Sequence, residues 1–248
     1  MMEVIARGKT LPDAYHHALM HLALNGEIGS CSDWNTTQKE LSMTMVVEEP
    51  LSEPMISKLM IGGPKDLEQY VQEIVHGILD FEVEKGKWAY TYHSRAAQQI
   101  PLVIAELKRN PDSRRAVIDI RDWRVDMESN DPPCLNHIQY FIRDGKLHCK
   151  VLFRSNDACK ATFFNAFALI MLQKYIADCL YIDVGTYTHR ANSFHCYARD
   201  FGTLEAYADK IAHMDIEDLT YNYKGEWDEM MAEARPEIAR MVEELKGR

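Results

Sequence analysis

In the stretch DPPCLNHIQY, residues 131–140, two prolines deliver a cysteine to the mouth of an alternating apolar run. Cys134 has two readings: a small buried hydrophobe, or a nucleophile. Downstream, FRSND brings Arg154, Ser155 and Asp157 within four residues. A guanidinium fork with an added hydroxyl donor makes a good phosphate grip. Upstream, Ser113-Arg114-Arg115 offers a second cationic cluster directly before a strand. Either cluster alone reads equally as solvated charged surface; together they point to an anionic ligand near the thiol. A positive charge on Arg154 close to Cys134 is expected to lower the thiol pKa and raise the fraction able to attack. An electrophilic carbon held by its phosphate would then meet a ready nucleophile.

Other residues could complete such a site. Asn165 stands on an otherwise apolar segment between Phe164 and Ala166 and needs a polar partner, either a ligand edge or a helix-packing hydrogen bond. His195 and Tyr197 share strand parity, so both can point into one pocket. Glu73 is open to two readings, a solvent-facing helical carboxylate or a partly buried one suited to proton relay.

The elements that must position these groups form a mixed pattern. MEVIARG reads as a strand, and Pro12 opens a helix that Asn25-Gly26 stops. Residues 40–48 alternate as a half-buried strand. DLEQYVQEIVHGILDF, residues 66–81, carries an apolar stripe at helical spacing, and IPLVIAELKRN predicts a second helix. HIQYFIRDGKLHCKVLF predicts two strands joined at Asp144-Gly145. A long helix over about 162–179 follows, then a strand over 181–189, a helix over 203–213 and a terminal helix initiated by Pro236. Strands gathered in the centre with helices around them predict an α+β fold with one large mixed β-sheet flanked by helices. The chain has 248 residues, 46% of them apolar, and neither a linker nor a repeat, so a single domain over 1–248 is expected.

Composition excludes some partners. With 28 basic against 38 acidic side chains the net charge is −10, which opposes adhesion to nucleic acid or anionic membrane. Six cysteines show no C-x-x-C pair, which fits reduced thiols in a cytoplasmic compartment. His148-Cys149 and His195-Cys196 are adjacent residues that point to opposite faces of a strand, so no metal site is expected. The most apolar run, ATFFNAFALIML, is well short of the ~20 residues that span a bilayer.

In combination, NPDSRR, the proline-cysteine pair, the Q-x-x-x-x-x-G hairpin, R-S-x-D, F-N on the following helix and H-x-Y beyond it resemble the core of the thymidylate synthase and pyrimidine hydroxymethylase family. The similarity runs from about Tyr92 to Asp200 and fits a divergent short branch, archaeal- or phage-like. The resemblance implies that Cys134 adds to C6 of a pyrimidine nucleotide, and that C5 then takes a one-carbon unit from 5,10-methylenetetrahydrofolate. It implies that Arg154 and Ser155 grip the phosphate, and that Arg114 and Arg115 reach across an obligate homodimer. Asn165 would read the uracil edge, His195 and Tyr197 the sugar hydroxyl, and Asp157 would serve substrate and folate binding. Glu73 would organise water and proton transfer, and Tyr92 would be the catalytic-site tyrosine. An aspartate at position 165 would suit cytosine instead.

Departures from the family pattern are expected to matter. The amino-terminal R-T-G-T motif is absent, Leu135 replaces the histidine after the nucleophile, Lys160-Ala161 replaces a glycine, and the final LKGR lacks a hydrophobic closing tail. Thymidylate synthase is the first expectation. A dUMP 5-hydroxymethylase remains open, because exclusion of water decides the outcome. A non-catalytic nucleotide-binding protein is a further alternative.

Overall fold

The computed structural model describes residues 1–247. Its strands are β1 (Glu3–Gly8), β2 (Glu27–Cys31), β3 (Thr36–Val47), β4 (Ile56–Ser57), β5 (Val117–Asp119), β6 (Leu135–Arg143), β7 (Lys146–Asp157), β8 (Asp183–Tyr197) and β9 (Thr220–Tyr221). Its helices are α1 (Leu11–Asn25), α2 (Pro64–His76), α3 (Phe81–Glu84), α4 (Tyr92–Ala96), α5 (Ile100–Arg109), α6 (Trp123–Asp126), α7 (Thr162–Leu180), α8 (Phe201–His213) and α9 (Asp228–Lys246). A large sheet runs β1-β3-β8-β7-β6-β5, with β2 paired to the first half of β3. It is mixed: β1/β3 and β7/β8 are parallel, the remaining pairs antiparallel. The fold is therefore α+β with one large mixed sheet flanked by helices.

Local chemistry explains the main boundaries. The β6–β7 hairpin turns on Asp144 and Gly145, both at positive φ, as a two-residue turn between right-twisted strands requires. α1 opens where the Thr10 side chain accepts from the Asp13 N–H, with Pro12 in its first turn. The first half of α7 is apolar on nearly every side because it is packed on nearly every side, with Phe163, Phe167 and Ile170 buried; Leu172 and Ile176 continue the buried face while Lys174, Tyr175 and Asp178 turn to solvent. Each such buried side chain contributes roughly 1.5–3 kcal/mol relative to exposure. Among the described residues α7 alone has the length and hydropathy of a membrane span, and most of it is buried inside the fold.

Three expected boundaries move. The helix expected over 66–81 ends at His76, because Gly77 adopts φ 62° and a Cβ there would meet the His93 ring at 2.1 Å. Pro236 does not initiate the terminal helix; it lies inside α9, which starts eight residues earlier at Asp228. The strand expected over 181–189 is β8, which starts at Asp183 and continues to Tyr197, carrying the sheet into the site.

Candidate active site

The two prolines end just before β6, so Cys134 enters directly beside β7. Leu135 pairs with Phe153, and the Arg154 N–H donates to the Cys134 carbonyl at 2.9 Å. The Arg154 guanidinium grips the same segment, donating to the carbonyls of Pro133 at 3.1 Å and Pro132 at 2.8 Å. Parallel pairing of β7 with β8 sets Ser155 opposite Ser193 and Asp157 opposite His195. One turn into α7, Asn165 faces the same space, while α2 supplies Tyr70 and α4 supplies Tyr92. The result is a cavity of about 940 Å³.

Eight of the eleven expected site residues line it: Tyr92, Cys134, Arg154, Ser155, Asp157, Asn165, His195 and Tyr197. Glu73, Arg114 and Arg115 do not. Glu73 is half-buried on α2, one turn beyond Tyr70, and accepts from Gln69 Nε2 at 2.9 Å. Arg114 and Arg115 are exposed just before β5, away from the cavity of their own chain.

The electrostatics correct one expectation. Burial pushes the Cys134 thiol above its ordinary value; Arg154 pulls it down, but by less, and Asp131 adds to the rise. Two of the Arg154 donors are committed to proline carbonyls, and the cavity wall gives three carboxylates, Asp33, Asp131 and Asp157, against this one cation. The thiol therefore rests protonated in the isolated chain. Burial raises the Glu73 carboxyl as well, and raises Tyr92, whose hydroxyl accepts from the Leu135 N–H at 3.4 Å.

Polar satisfaction indicates where a ligand would bind. His195 is 3% exposed and held neutral by burial, the largest influence on it. Its Nδ1 lies 3.3 Å from the Ser193 carbonyl, which can only accept, so Nδ1 carries the proton and donates. Nε2 is left as a buried acceptor with no partner among the described residues. Ser155 Oγ lies 3.4 Å from the same Nδ1. Asn165 Oδ1 accepts from the Tyr70 hydroxyl, which fixes the carboxamide and leaves its Nδ2 for the cavity. Asp157 is half committed: its Oδ1 accepts the N–H groups of Cys159 and Lys160 at 3.0 Å each, closing the turn into α7.

Some lining residues carry little signal in the sequence. Tyr70 reads as part of the apolar stripe of α2, and its hydroxyl is the only sign of another duty. Ser193 lies two residues before His195 on one face of β8. Asn156 is buried on the cavity wall, with Oδ1 2.8 Å from His189 Nε2 and 2.9 Å from Thr162 Oγ. The segment Ser30–Trp34 forms one rim; nothing in its spacing signals a site.

The family profile described as thymidylate synthase matches residues 68–233. A Methanocaldococcus jannaschii protein described as "Putative thymidylate synthase" is 32% identical over 208 residues, covering 80% of this chain and 93% of its own. Thymidylate synthase 1 of Bacillus subtilis is 28% identical over 177 residues, covering 69% of this chain and 60% of its own. The solved thermostable thymidylate synthase A from Bacillus subtilis superposes with a TM-score of 0.65 at 19% identity, covering 87% of this chain and 96% of that one, a likeness of fold. The chain belongs to the thymidylate synthase family.

Proposed function

We propose that the protein transfers a one-carbon unit to C5 of dUMP, making dTMP, with Cys134 as the nucleophile. The observation that carries the reading is that a thiol, a fixed carboxamide and a buried unpartnered imidazole nitrogen, from three separate elements, open on one cavity. Asn165 presents an amide N–H and a remaining oxygen lone pair to the O4/N3 edge of uracil. Tyr70 holds it in that orientation. The acceptor at His195 Nε2 takes the sugar hydroxyl, with Tyr197 beside it at a ring separation of 4.7 Å. Ser155 and the uncommitted nitrogen of Arg154 meet the phosphate.

Cys134 attacks C6, and the electron pair moves to make C5 nucleophilic. 5,10-Methylenetetrahydrofolate supplies the one-carbon unit as co-substrate: the methylene bonds to C5 as its bond to the folate nitrogen breaks, the C5 proton leaves and the Cys134–C6 bond breaks, and the tetrahydrofolate released gives hydride to the exocyclic methylene and ends as dihydrofolate. Because the thiol rests protonated, a base must accept its proton; this reading assigns that role to Glu73, whose carboxyl burial raises, although it stands one turn beyond Tyr70 and outside the cavity lining, with Tyr92 on the cavity wall. The second oxygen of Asp157 is available to the folate, its first being bound in the turn.

A homodimer completes the site in this reading. One arginine against three carboxylates is a poor host for a phosphate dianion, and exposed Arg114 and Arg115 supply the missing charge when contributed by a second copy. In this reading the chain works as one domain in a reducing, cytoplasmic setting that suits its six free cysteines. Incubation with dUMP and methylenetetrahydrofolate, read by mass spectrometry, tests the activity: dTMP is expected, and 5-hydroxymethyl-dUMP as the only product would replace synthase with hydroxymethylase.

A further inference from the structure

Asp80 lies in the turn that ends α2, the helix carrying Tyr70 and Glu73, and its N–H donates to the Gly77 carbonyl at 2.9 Å. Both of its carboxylate oxygens are taken, and by one short piece of chain. The Thr91 hydroxyl donates to Oδ1, and His93 Nδ1 donates to Oδ2 at 2.6 Å. Residues 91 and 93 flank Tyr92, so a single carboxylate holds the chain on either side of that tyrosine. The fit is close. A Cβ on Gly77 would stand 2.1 Å from His93 Nδ1 and 2.6 Å from Asp80 Oδ2, so only glycine lets α2 end against the pair.

Tyr92 depends on such a hold. It opens α4, a helix of five residues, too short to be stable without outside contacts. Its hydroxyl makes one hydrogen bond among the described residues, with the Leu135 N–H beside Cys134, and at 3.4 Å that bond is long. The place of the hydroxyl therefore follows from where the first turn of α4 is held. The last turn has its own anchor, Arg95 Nη2 donating to buried Asp126 at 3.0 Å. In the first turn, the Thr91 oxygen that donates to Asp80 also accepts the Ser94 N–H at 2.9 Å, which joins the helix cap to the carboxylate. Resting on the function proposed above, we infer that Asp80 is a positioning residue for the reaction: through Thr91 and His93 it sets the Tyr92 hydroxyl against the Cys134 segment and fixes it relative to α2.

A double-variant cycle of Asp80→Asn with Tyr92→Phe tests this, with the melting temperature of each protein checked. Asp80→Asn keeps the shape of the side chain but offers one acceptor oxygen to two donors. Product formation is followed at saturating dUMP and methylenetetrahydrofolate, and dUMP affinity is measured by calorimetry. A misplaced group costs rate rather than binding, so Asp80→Asn should lower kcat roughly ten- to a hundredfold and leave dUMP affinity within about twofold of wild type. Made in Tyr92→Phe, which already lacks the hydroxyl, the same substitution should cost less than about twofold. A merely structural role would lower kcat equally in both backgrounds. Equal loss in both, an unchanged kcat in Asp80→Asn, or a loss confined to dUMP affinity overturns the inference. If Asp80→Asn does not fold, His93→Ala takes its place in the cycle, because it keeps the Thr91 arm, and the same outcomes decide. If wild type makes neither dTMP nor 5-hydroxymethyl-dUMP, the functional reading itself fails, and the role of Asp80 with it.

Discussion

The Cys134 sulfur sits between opposing influences, burial raising its pKa and Arg154 lowering it, and their balance sets how the free protein reacts. Thiolate forms as pH rises through the thiol pKa, which lies above the ordinary 9.0, so alkylation by iodoacetamide should still be accelerating at pH 9. Arg154→Ala removes the favourable charge and should slow alkylation at pH 8; an unchanged or faster rate would contradict the balance drawn here. Asn165→Asp exchanges a neutral amide for a carboxylate facing the base, which should cost on the order of a hundredfold in kcat/KM for dUMP and improve relative use of dCMP. Parallel kinetics on the two nucleotides check both directions. At this scale the sequence was informative because chemistry-bearing types, proline-cysteine, R-S-x-D and H-x-Y, recur at spacings that only a shared pocket explains. It could not reveal that proline carbonyls would occupy Arg154, since that contact depends on a chain path fixed by tertiary packing.

Elements were legible where one local signal dominated. Asp144-Gly145 predicts its hairpin, and Pro12 with Gly26 brackets α1. The apolar stripe of α2 runs to Phe81 in sequence, but left-handed Gly77 ends the helix, and the approach of His93 explains why glycine stands there. Strands β2 and β5 lack a strong apolar alternation and form because β3 and β6 offer them edges. Pro236 misleads because proline is most at home in a first turn; inside α9 it removes the hydrogen bond to the Ala232 carbonyl. Pro236→Ala should therefore stabilise the protein by about 1–3 kcal/mol, a gain visible in urea unfolding. The contact of α1 with β4 gives a pH dependence. His16, buried with Nε2 2.8 Å from Ser57 Oγ, is lowered to about 4, chiefly by burial. The unfolded chain binds this proton more readily, so stability is full above pH 6.5 and falls as pH drops from 6.5 towards 4, by up to about 3 kcal/mol. His16→Gln should flatten part of that slope in urea titrations at several pH values; an identical slope would remove His16 from the account.

On the scale of the whole molecule, the cavity of one chain carries a single cation, Arg154, against three carboxylates, fewer than the proposed phosphate needs. A second copy that lends Arg114 and Arg115 predicts a particle of twice the 28.6 kDa chain mass in light scattering. It also predicts complementation: Cys134→Ser and the Arg114→Ala/Arg115→Ala double variant should each be inactive alone. Mixed and re-associated at equal amounts, they should recover about a quarter of wild-type activity, because half the dimers then hold one intact site. Failure of the mixture to exceed either parent would count against sites shared between subunits. The central claim is that Cys134 bonds to the pyrimidine. It is tested most directly by mixing the protein with 5-fluoro-dUMP and methylenetetrahydrofolate and measuring intact mass, then locating any adduct by peptide mapping. A ternary adduct on the peptide containing Cys134, lost in Cys134→Ser while dUMP still binds, is the predicted result; no adduct, or one that survives the substitution, would contradict it.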